Sequence, residues 1–189
     1  MATLGIPSNT IEVLQKYHFN FQKKFGQNFL IRSAIPQEIS AAARRLAPSD
    51  KPAGVLEIGP GVGALTQYLA EDFDRVVCVE IDHGLIPLLN EIFGDIANIT
   101  VVEADFMNLD LPAFLSAYFG DFLTSGGTVS ICANLPYYIT TPVLMKILES
   151  WPPLDPVPLA GITIMIQLEV ARRICAVETD REYGAITAA

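Results

Sequence analysis

The sequence predicts an α/β fold with a mostly parallel, doubly wound sheet that helices cover on both faces. Short apolar runs, typical of buried strands, alternate with longer segments that are typical of helices. A glycine-rich turn, residues 59–63, follows the first of these runs. With 189 residues, of which 51% are hydrophobic, the chain can form one domain with a substantial core.

Each element follows from local pattern. Aliphatic runs bounded by polar or glycine residues predict five strands, at residues 55–58, 75–81, 99–102, 128–133 and 161–167. Segments before and between them predict helices at residues 33–46, 64–70, 85–92, 113–119, 141–149 and 169–176. Pro36 and Pro142 suit the first turns of two of these helices. A leader, residues 1–22, with a helix at 10–17 precedes them, and four prolines make residues 151–158 a linker.

Composition excludes several classes of protein. A net charge of −9 argues against a generally basic protein that coats nucleic acid. We see neither an apolar run of transmembrane length nor a secretory signal, which predicts a cytoplasmic protein without membrane contact. Cys78, Cys132 and Cys175 are far apart and odd in number, so we expect reduced, buried thiols and no metal site.

Candidate ligand-binding residues end successive predicted strands, at Gly59, Glu80, Asp105 and Asn134. In a doubly wound sheet these ends converge on one crevice. The glycine turn also fits the Gly-x-Gly-x-x-Gly/Ala spacing, so a nicotinamide or flavin dinucleotide remains a rival ligand. Glu80 could accept both hydroxyls of a ribose, or be an exposed strand-end carboxylate. Asp105 could accept the amine of adenine, or cap a helix or turn.

The segment Asn134-Leu135-Pro136-Tyr137 combines an amide, a proline and an aromatic ring at a strand end. Such a set suits holding a flat ring that bears an amine, although an ordinary strand-to-helix turn is the alternative. A dehydrogenase would usually need an acid or base, but His18 lies in the leader and His83 in a solvent-facing loop. Methyl transfer from a sulfonium to an amine needs alignment rather than a strong base.

Six stretches resemble one known family. They are residues 26–30 (GQNFL), 57–66 (EIGPGVGALT), 79–82 (VEID), 103–105 (EAD), 134–142 (NLPYYITTP) and 165–174 (MIQLEVARRI). The chain resembles the ribosomal RNA adenine dimethyltransferases, which modify two adjacent adenines near the 3′ end of small-subunit rRNA. The resemblance implies a Rossmann-like class I methyltransferase fold and S-adenosyl-L-methionine as the cofactor.

The same resemblance implies roles for individual residues. The cofactor-binding residues would be Gln27, Asn28, Leu30, Gly59, Gly61, Glu80, Asp105 and Asn134. The catalytic residues would be Asn134, Leu135, Pro136 and Tyr137. Asn134 and the Leu135 carbonyl would accept hydrogen bonds from N6 of the target adenine, and Tyr137 would stack on its ring. We interpret Tyr138 as a packing residue.

The resemblance also predicts function and partners. We expect methylation of 16S-type rRNA during ribosome biogenesis, with residues 23–189 as the catalytic domain of a monomer that binds the pre-ribosomal small subunit. The chain departs from the family pattern in two ways. Leu168 stands where the family usually has lysine, and the family continues beyond the position of Gly184 into a C-terminal helical RNA-binding domain. We therefore expect a truncated chain that binds cofactor better than it methylates RNA. Alternatives are a large-subunit rRNA methyltransferase of the antibiotic-resistance type and an organellar transcription factor.

Overall fold

The structure is a computed structural model that describes residues 34–136, 138–150, 159–184 and 187. The strands are β1 Ala53–Ile58, β2 Arg75–Glu80, β3 Ile99–Glu103, β4 Thr128–Asn134 and β5 Leu159–Met165. The helices are α1 Ala34–Leu46, α2 Thr66–Asp72, α3 Ile86–Phe93, α4 Leu111–Thr124, α5 Thr140–Ser150 and α6 Leu168–Ile174. Two short 3₁₀ helices, His83–Leu85 and Phe106–Asn108, follow β2 and β3. The predicted leader and proline-rich linker lie outside the described residues.

The five strands form one sheet in the order β3-β2-β1-β4-β5, and all neighbouring strands are parallel. The chain winds outward from β1 in one direction through β2 and β3, and in the other through β4 and β5. The order therefore reverses between β1 and β4, where open parallel sheets bind their ligands at the carboxyl ends of the strands. This topology confirms the predicted doubly wound α/β fold.

Successive apolar side chains of the central strands lie on opposite faces of the sheet, which explains why helices cover both faces. Val55 and Val76 lie in a cluster with buried residues of α1 and α2. Leu56 and Val77, one residue further along each strand, lie in a cluster with buried residues of α4 and α5. Successive side chains of a strand point to opposite faces, so strands that are buried on both sides are apolar almost throughout.

The boundaries of α4, β1 and β5 differ from those that the sequence predicts. The helix predicted at residues 113–119 extends over Leu111–Thr124. Asp110 begins it, because its carboxylate accepts a hydrogen bond of 3.1 Å from the Ala113 amide, and Pro112 occupies its first turn. The strands β1 and β5 each begin two residues earlier than predicted, at Ala53 and Leu159.

The glycine-rich turn between β1 and α2 has a left-handed backbone. Gly59, Gly61 and Gly63 have φ angles of 70°, 59° and 85°, a region that residues with a Cβ seldom adopt. A Cβ at Gly63 would also collide with the ring of Phe93 in α3. This glycine therefore lets α3 pack closely against the turn.

None of the helices in the described residues has both the length and the apolar character that a bilayer span requires.

A buried carboxylate lies in the middle of the sheet. Glu57 of β1 is 1% exposed and is flanked in register by Cys78 and Cys132. Its Oε2 atom accepts hydrogen bonds from the Thr66 hydroxyl at 2.7 Å and from the Cys78 thiol at 3.3 Å. Burial raises the pKa of Glu57 to about 7, although both hydrogen bonds act in the opposite direction.

The raised pKa of Glu57 predicts a loss of stability with rising pH. The folded state holds this proton up to about pH 7, whereas the group ordinarily loses it near 4.5. The contribution of Glu57 to stability is therefore greatest below pH 4.5 and is lost as the pH rises through 7. The contribution at stake is roughly 3 kcal/mol at 1.36 kcal/mol per unit of pKa. We expect Glu57→Gln to remove this loss from the free energy of unfolding, measured in urea at pH 5 and pH 8.

Glu71→Gln is the matched control, since Glu71 is an exposed carboxylate on α2. It should leave the pH dependence of the wild-type chain unchanged. Equal pH dependence for Glu57→Gln and the wild-type chain would contradict the prediction.

Candidate functional site

A cavity opens at the carboxyl edge of the sheet, beside the point where the strand order reverses. Residues of four segments line it: 57–65 after β1, 79–81 at the end of β2, 104–107 after β3, and 134–143 after β4. The seven described candidates are all among them: Gly59, Gly61, Glu80, Asp105, Asn134, Leu135 and Pro136. The other four, Gln27, Asn28, Leu30 and Tyr137, lie outside the described residues. The predicted convergence on one crevice is therefore observed, while the role of each residue stays a prediction.

The glycine turn offers bare backbone to the cavity. The Gly59 amide donates a hydrogen bond of 2.9 Å to the Val79 carbonyl, which ties the turn to β2. A Cβ at Gly59 would meet no atom within 4 Å, so the surface beside this residue is open. A ligand can therefore lie directly against the main chain here, where a larger side chain would occupy the space.

Glu80 connects two loops at the floor of the cavity. Its Oε2 accepts a hydrogen bond of 3.1 Å from the Gly61 amide, and its Oε1 accepts one of 2.8 Å from the Asp82 amide. The residue is only 5% exposed, which contradicts the alternative of an exposed strand-end carboxylate. Burial raises the pKa of Glu80, while the backbone hydrogen bonds favour the charged form. Each carboxylate oxygen has a further lone pair that can accept a ligand hydroxyl.

Asp105 has a structural role and also lines the cavity. Its Oδ1 accepts a hydrogen bond of 2.9 Å from the Met107 amide, and its Oδ2 accepts one of 2.7 Å from the Asn108 side chain. These contacts cap the 3₁₀ helix Phe106–Asn108, so the capping alternative is confirmed. The two roles are compatible, because a carboxylate has about four acceptor positions.

The turn after β4 forms another wall of the cavity. Asn134 is the last residue of β4, and Leu135 is 4% exposed in the core beneath the cavity. The Pro136 carbonyl accepts hydrogen bonds from the Ile139 amide at 3.1 Å and from the Thr140 hydroxyl at 3.2 Å. These bonds hold the turn in a fixed shape and lead it directly into α5.

Sequence reasoning gave no part in the cavity to several of the residues that line it, among them Tyr138 and Glu57. Tyr138 was expected to pack, but it is 60% exposed and lines the cavity. Glu57, to which we had assigned no role, lies at the end of the cavity near the glycine turn. The available signals were two adjacent tyrosines and a charged residue within an apolar strand.

Two other predictions concern the exposure of His83 and of the three cysteines. His83 is exposed as expected, with its Nδ1 atom 2.9 Å from Oε1 of Glu103. Cys78 and Cys132 are buried, but Cys175 is exposed, so the prediction for the third cysteine is wrong. It follows the last residue of α6, at the surface of the described part.

Comparisons with known proteins identify the family of the chain. A sequence model of the family described as ribosomal RNA adenine dimethylase matches residues 18–189. A ribosomal RNA small subunit methyltransferase A from Shouchella clausii is 42% identical over 98% of this chain. The chain spans 58% of the length of that relative.

Two solved structures share the fold. The 23S rRNA methyltransferase ErmE superposes with a TM-score of 0.59 and 30% identity, over 77% of this chain and 50% of that one. A dimethyladenosine transferase from Plasmodium falciparum superposes with a TM-score of 0.58 and 25% identity, over 80% and 48% of the two chains. They confirm the predicted Rossmann-like class I methyltransferase fold, a class whose cofactor is S-adenosyl-L-methionine. The chain belongs to the ribosomal RNA adenine dimethylase family.

Proposed function

We propose that residues 23–189 are the catalytic domain of an enzyme that transfers methyl groups from S-adenosylmethionine to N6 of adenine in ribosomal RNA. The finer proposal is that the targets are two adjacent adenines near the 3′ end of small-subunit rRNA. The observation that carries it is the meeting of Gly59, Glu80, Asp105 and Asn134 at one cavity. The partner would be the pre-ribosomal small subunit, and the cytoplasmic, monomeric state remains a prediction.

The lining of the cavity offers a suitable partner for each part of the cofactor. A ribose offers two hydroxyl donors, which suit the buried Glu80 carboxylate. The adenine amine is also a donor and suits Asp105, while the methionine part would lie on the bare backbone at Gly59 and Gly61. Family resemblance adds Gln27, Asn28 and Leu30 on the N-terminal side.

The charge of the cavity favours this cofactor over a dinucleotide. Its described lining includes the carboxylates of Glu80 and Asp105, and neither lysine nor arginine. A pyrophosphate would experience repulsion from these acids, whereas a cationic sulfonium and an ammonium group would be attracted.

The wall around Asn134 would position the target base. Bound S-adenosylmethionine supplies a methyl group that is activated by its positively charged sulfur. The Asn134 side-chain oxygen and the Leu135 carbonyl would accept hydrogen bonds from the two hydrogens of N6, which directs the nitrogen lone pair toward the methyl carbon. After accepting the methyl group from the sulfonium, which would leave as a neutral thioether, N6 would be cationic and would release a proton to water. Tyr137 would stack on the ring, which is worth about 1–3 kcal/mol per base.

One specific observation supports a second candidate. The similarity to ErmE, a 23S rRNA methyltransferase, leaves open an activity toward large-subunit rRNA. The small-subunit methyltransferase A from Shouchella clausii is more similar in sequence, with 42% identity compared with 30% for ErmE. We therefore favour the small-subunit substrate.

Calorimetry tests the cofactor. We expect the wild-type chain to bind S-adenosylmethionine and not NAD(H). Glu80 and Asp105 would accept hydrogen bonds from the adenosine part, and the acidic cavity disfavours a pyrophosphate. Glu80→Ala should raise the Kd for S-adenosylmethionine roughly 10- to 150-fold, which corresponds to losing charge-assisted hydrogen bonds of roughly 1.5–3 kcal/mol.

Glu103→Ala is the matched control, because Glu103 pairs with Glu80 in register but is exposed and outside the cavity. Its Kd should equal that of the wild-type chain. Binding of NAD(H) alone would refute the methyltransferase proposal, and an unchanged Kd in Glu80→Ala would remove Glu80 from the site.

Methyl transfer tests the substrate. The full-length protein should transfer labelled methyl groups to small-subunit rRNA in an immature particle, and not to naked 23S fragments. Mapping of the label should find it on N6 of two neighbouring adenines. Labelling of 23S fragments only would establish the large-subunit alternative instead.

Asn134→Ala tests the proposed wall for the base. In the full-length protein it should lower the rate of methyl transfer by about 10²-fold or more, since it removes a group that aligns the nucleophile. The Kd for S-adenosylmethionine should change much less. A variant that loses folding, cofactor binding and transfer together would instead indicate a structural role for Asn134.

A further inference from the structure

Two walls of the cavity belong to different parts of the chain. The adenine wall is the segment 105–109 after β3, which begins with Asp105. The base wall is the turn 134–136 after β4, which leads into α5. For methyl transfer, the distance between these walls would set how the bound cofactor and the target base meet. A contact that fixes this distance would therefore control the reaction.

Lys146 makes such a contact. It lies in the second turn of α5, and its Nζ atom donates hydrogen bonds to the Met107 carbonyl at 2.7 Å and to the Leu109 carbonyl at 2.6 Å. The same ammonium group lies 5.6 Å from the centre of the Phe106 ring, within the range of a cation–π interaction. This one side chain of α5 thus contacts three residues of the adenine wall: Phe106, Met107 and Leu109.

The contact suits a lysine in particular. An ammonium group has three donors on a flexible stem, so it can serve two carbonyls at once while its charge faces the ring. These carbonyls belong to the segment that Asp105 caps from its other side, through the Met107 amide. The adenine wall is therefore held at its beginning by Asp105 and along its length by Lys146.

The base wall is rigidly joined to the same helix. Ile139 and Thr140 both donate hydrogen bonds to the Pro136 carbonyl, and the Val143 amide donates to the Ile139 carbonyl at 3.0 Å. Val143 itself lines the cavity. The base wall therefore moves with α5, and the Lys146 contact fixes where α5 lies relative to the adenine wall.

We propose that Lys146 is a positioning residue that sets the separation of the adenine wall and the base wall. This inference rests on the proposed function, since it assigns the two walls to the cofactor and the target base. Lys146 does not touch either ligand: it acts through the backbone of Met107 and Leu109. Its effect on cofactor binding must therefore depend on Asp105.

A double-mutant cycle tests this dependence by calorimetry with S-adenosylmethionine. Lys146→Met removes the ammonium group but keeps a chain of similar length, and it should raise the Kd about 10-fold. Asp105→Ala alone should have an effect of similar size. The double variant should bind only slightly more weakly than either single variant, far from the roughly 100-fold loss that independent effects would give.

The control cycle combines Lys146→Met with Glu80→Ala, whose losses should multiply because the Glu80 carboxylate accepts hydrogen bonds from Gly61 and Asp82, which lie outside the segment that Lys146 holds. General loosening of the fold would give the same pattern in both cycles, so the contrast between them separates positioning from stability. Lys51→Met, at an exposed position outside the cavity, should leave the Kd unchanged. If Lys146→Met does not fold, the same two cycles with Lys146→Arg decide the question.

The possible results are distinct. A Kd for Lys146→Met within twofold of the wild-type value would overturn the inference and leave the proposed function intact. Losses that multiply in the Asp105 cycle would overturn it too. If the wild-type chain fails to bind S-adenosylmethionine, the proposed function fails and the inference fails with it.

Discussion

The Glu80 carboxylate holds together the two loops that form the floor of the cavity. It accepts one hydrogen bond from Gly61, in the turn after β1, and one from Asp82, in the loop after β2. An anion that is 5% exposed would be costly to bury alone, and the two amides offset that cost. Together with the hydrogen bond from the Gly59 amide to the Val79 carbonyl, this contact shapes the bare backbone of the glycine turn.

The remaining walls are organised before any ligand arrives. Asp105 caps its own 3₁₀ helix, the Pro136 carbonyl closes the turn after β4, and Lys146 joins the two walls. Each of these contacts is made within the protein itself. A ligand that enters such a cavity has little main chain to order, so more of its contact energy appears as affinity. A methyl transfer that depends on alignment rather than on a strong base benefits from this rigidity.

Much of the fold could be predicted because each strand is a short aliphatic run that is buried on both faces. The strand ends were also informative, because parallel strands bring their end residues to one edge of the sheet. The sequence therefore predicted that Gly59, Glu80, Asp105 and Asn134 lie together. The limits of α4 were not predictable from period alone, because apolar residues surround most of this helix. Exposure of single side chains, such as Tyr138 and Cys175, depends on tertiary packing that the local sequence does not contain. The contact of Lys146 with two carbonyls joins residues 37 and 39 positions apart, and no sequence pattern indicates it.

A nuclear magnetic resonance titration of the chain with S-adenosylmethionine is the most direct test that these separate segments form one binding site. Backbone amides report on all four segments at once, at Gly61, Ile81, Met107 and Leu135. We expect all four resonances to shift along a single binding curve with one Kd. Shifts confined to one segment, or different curves for the glycine turn and the turn at Asn134, would contradict a shared cavity.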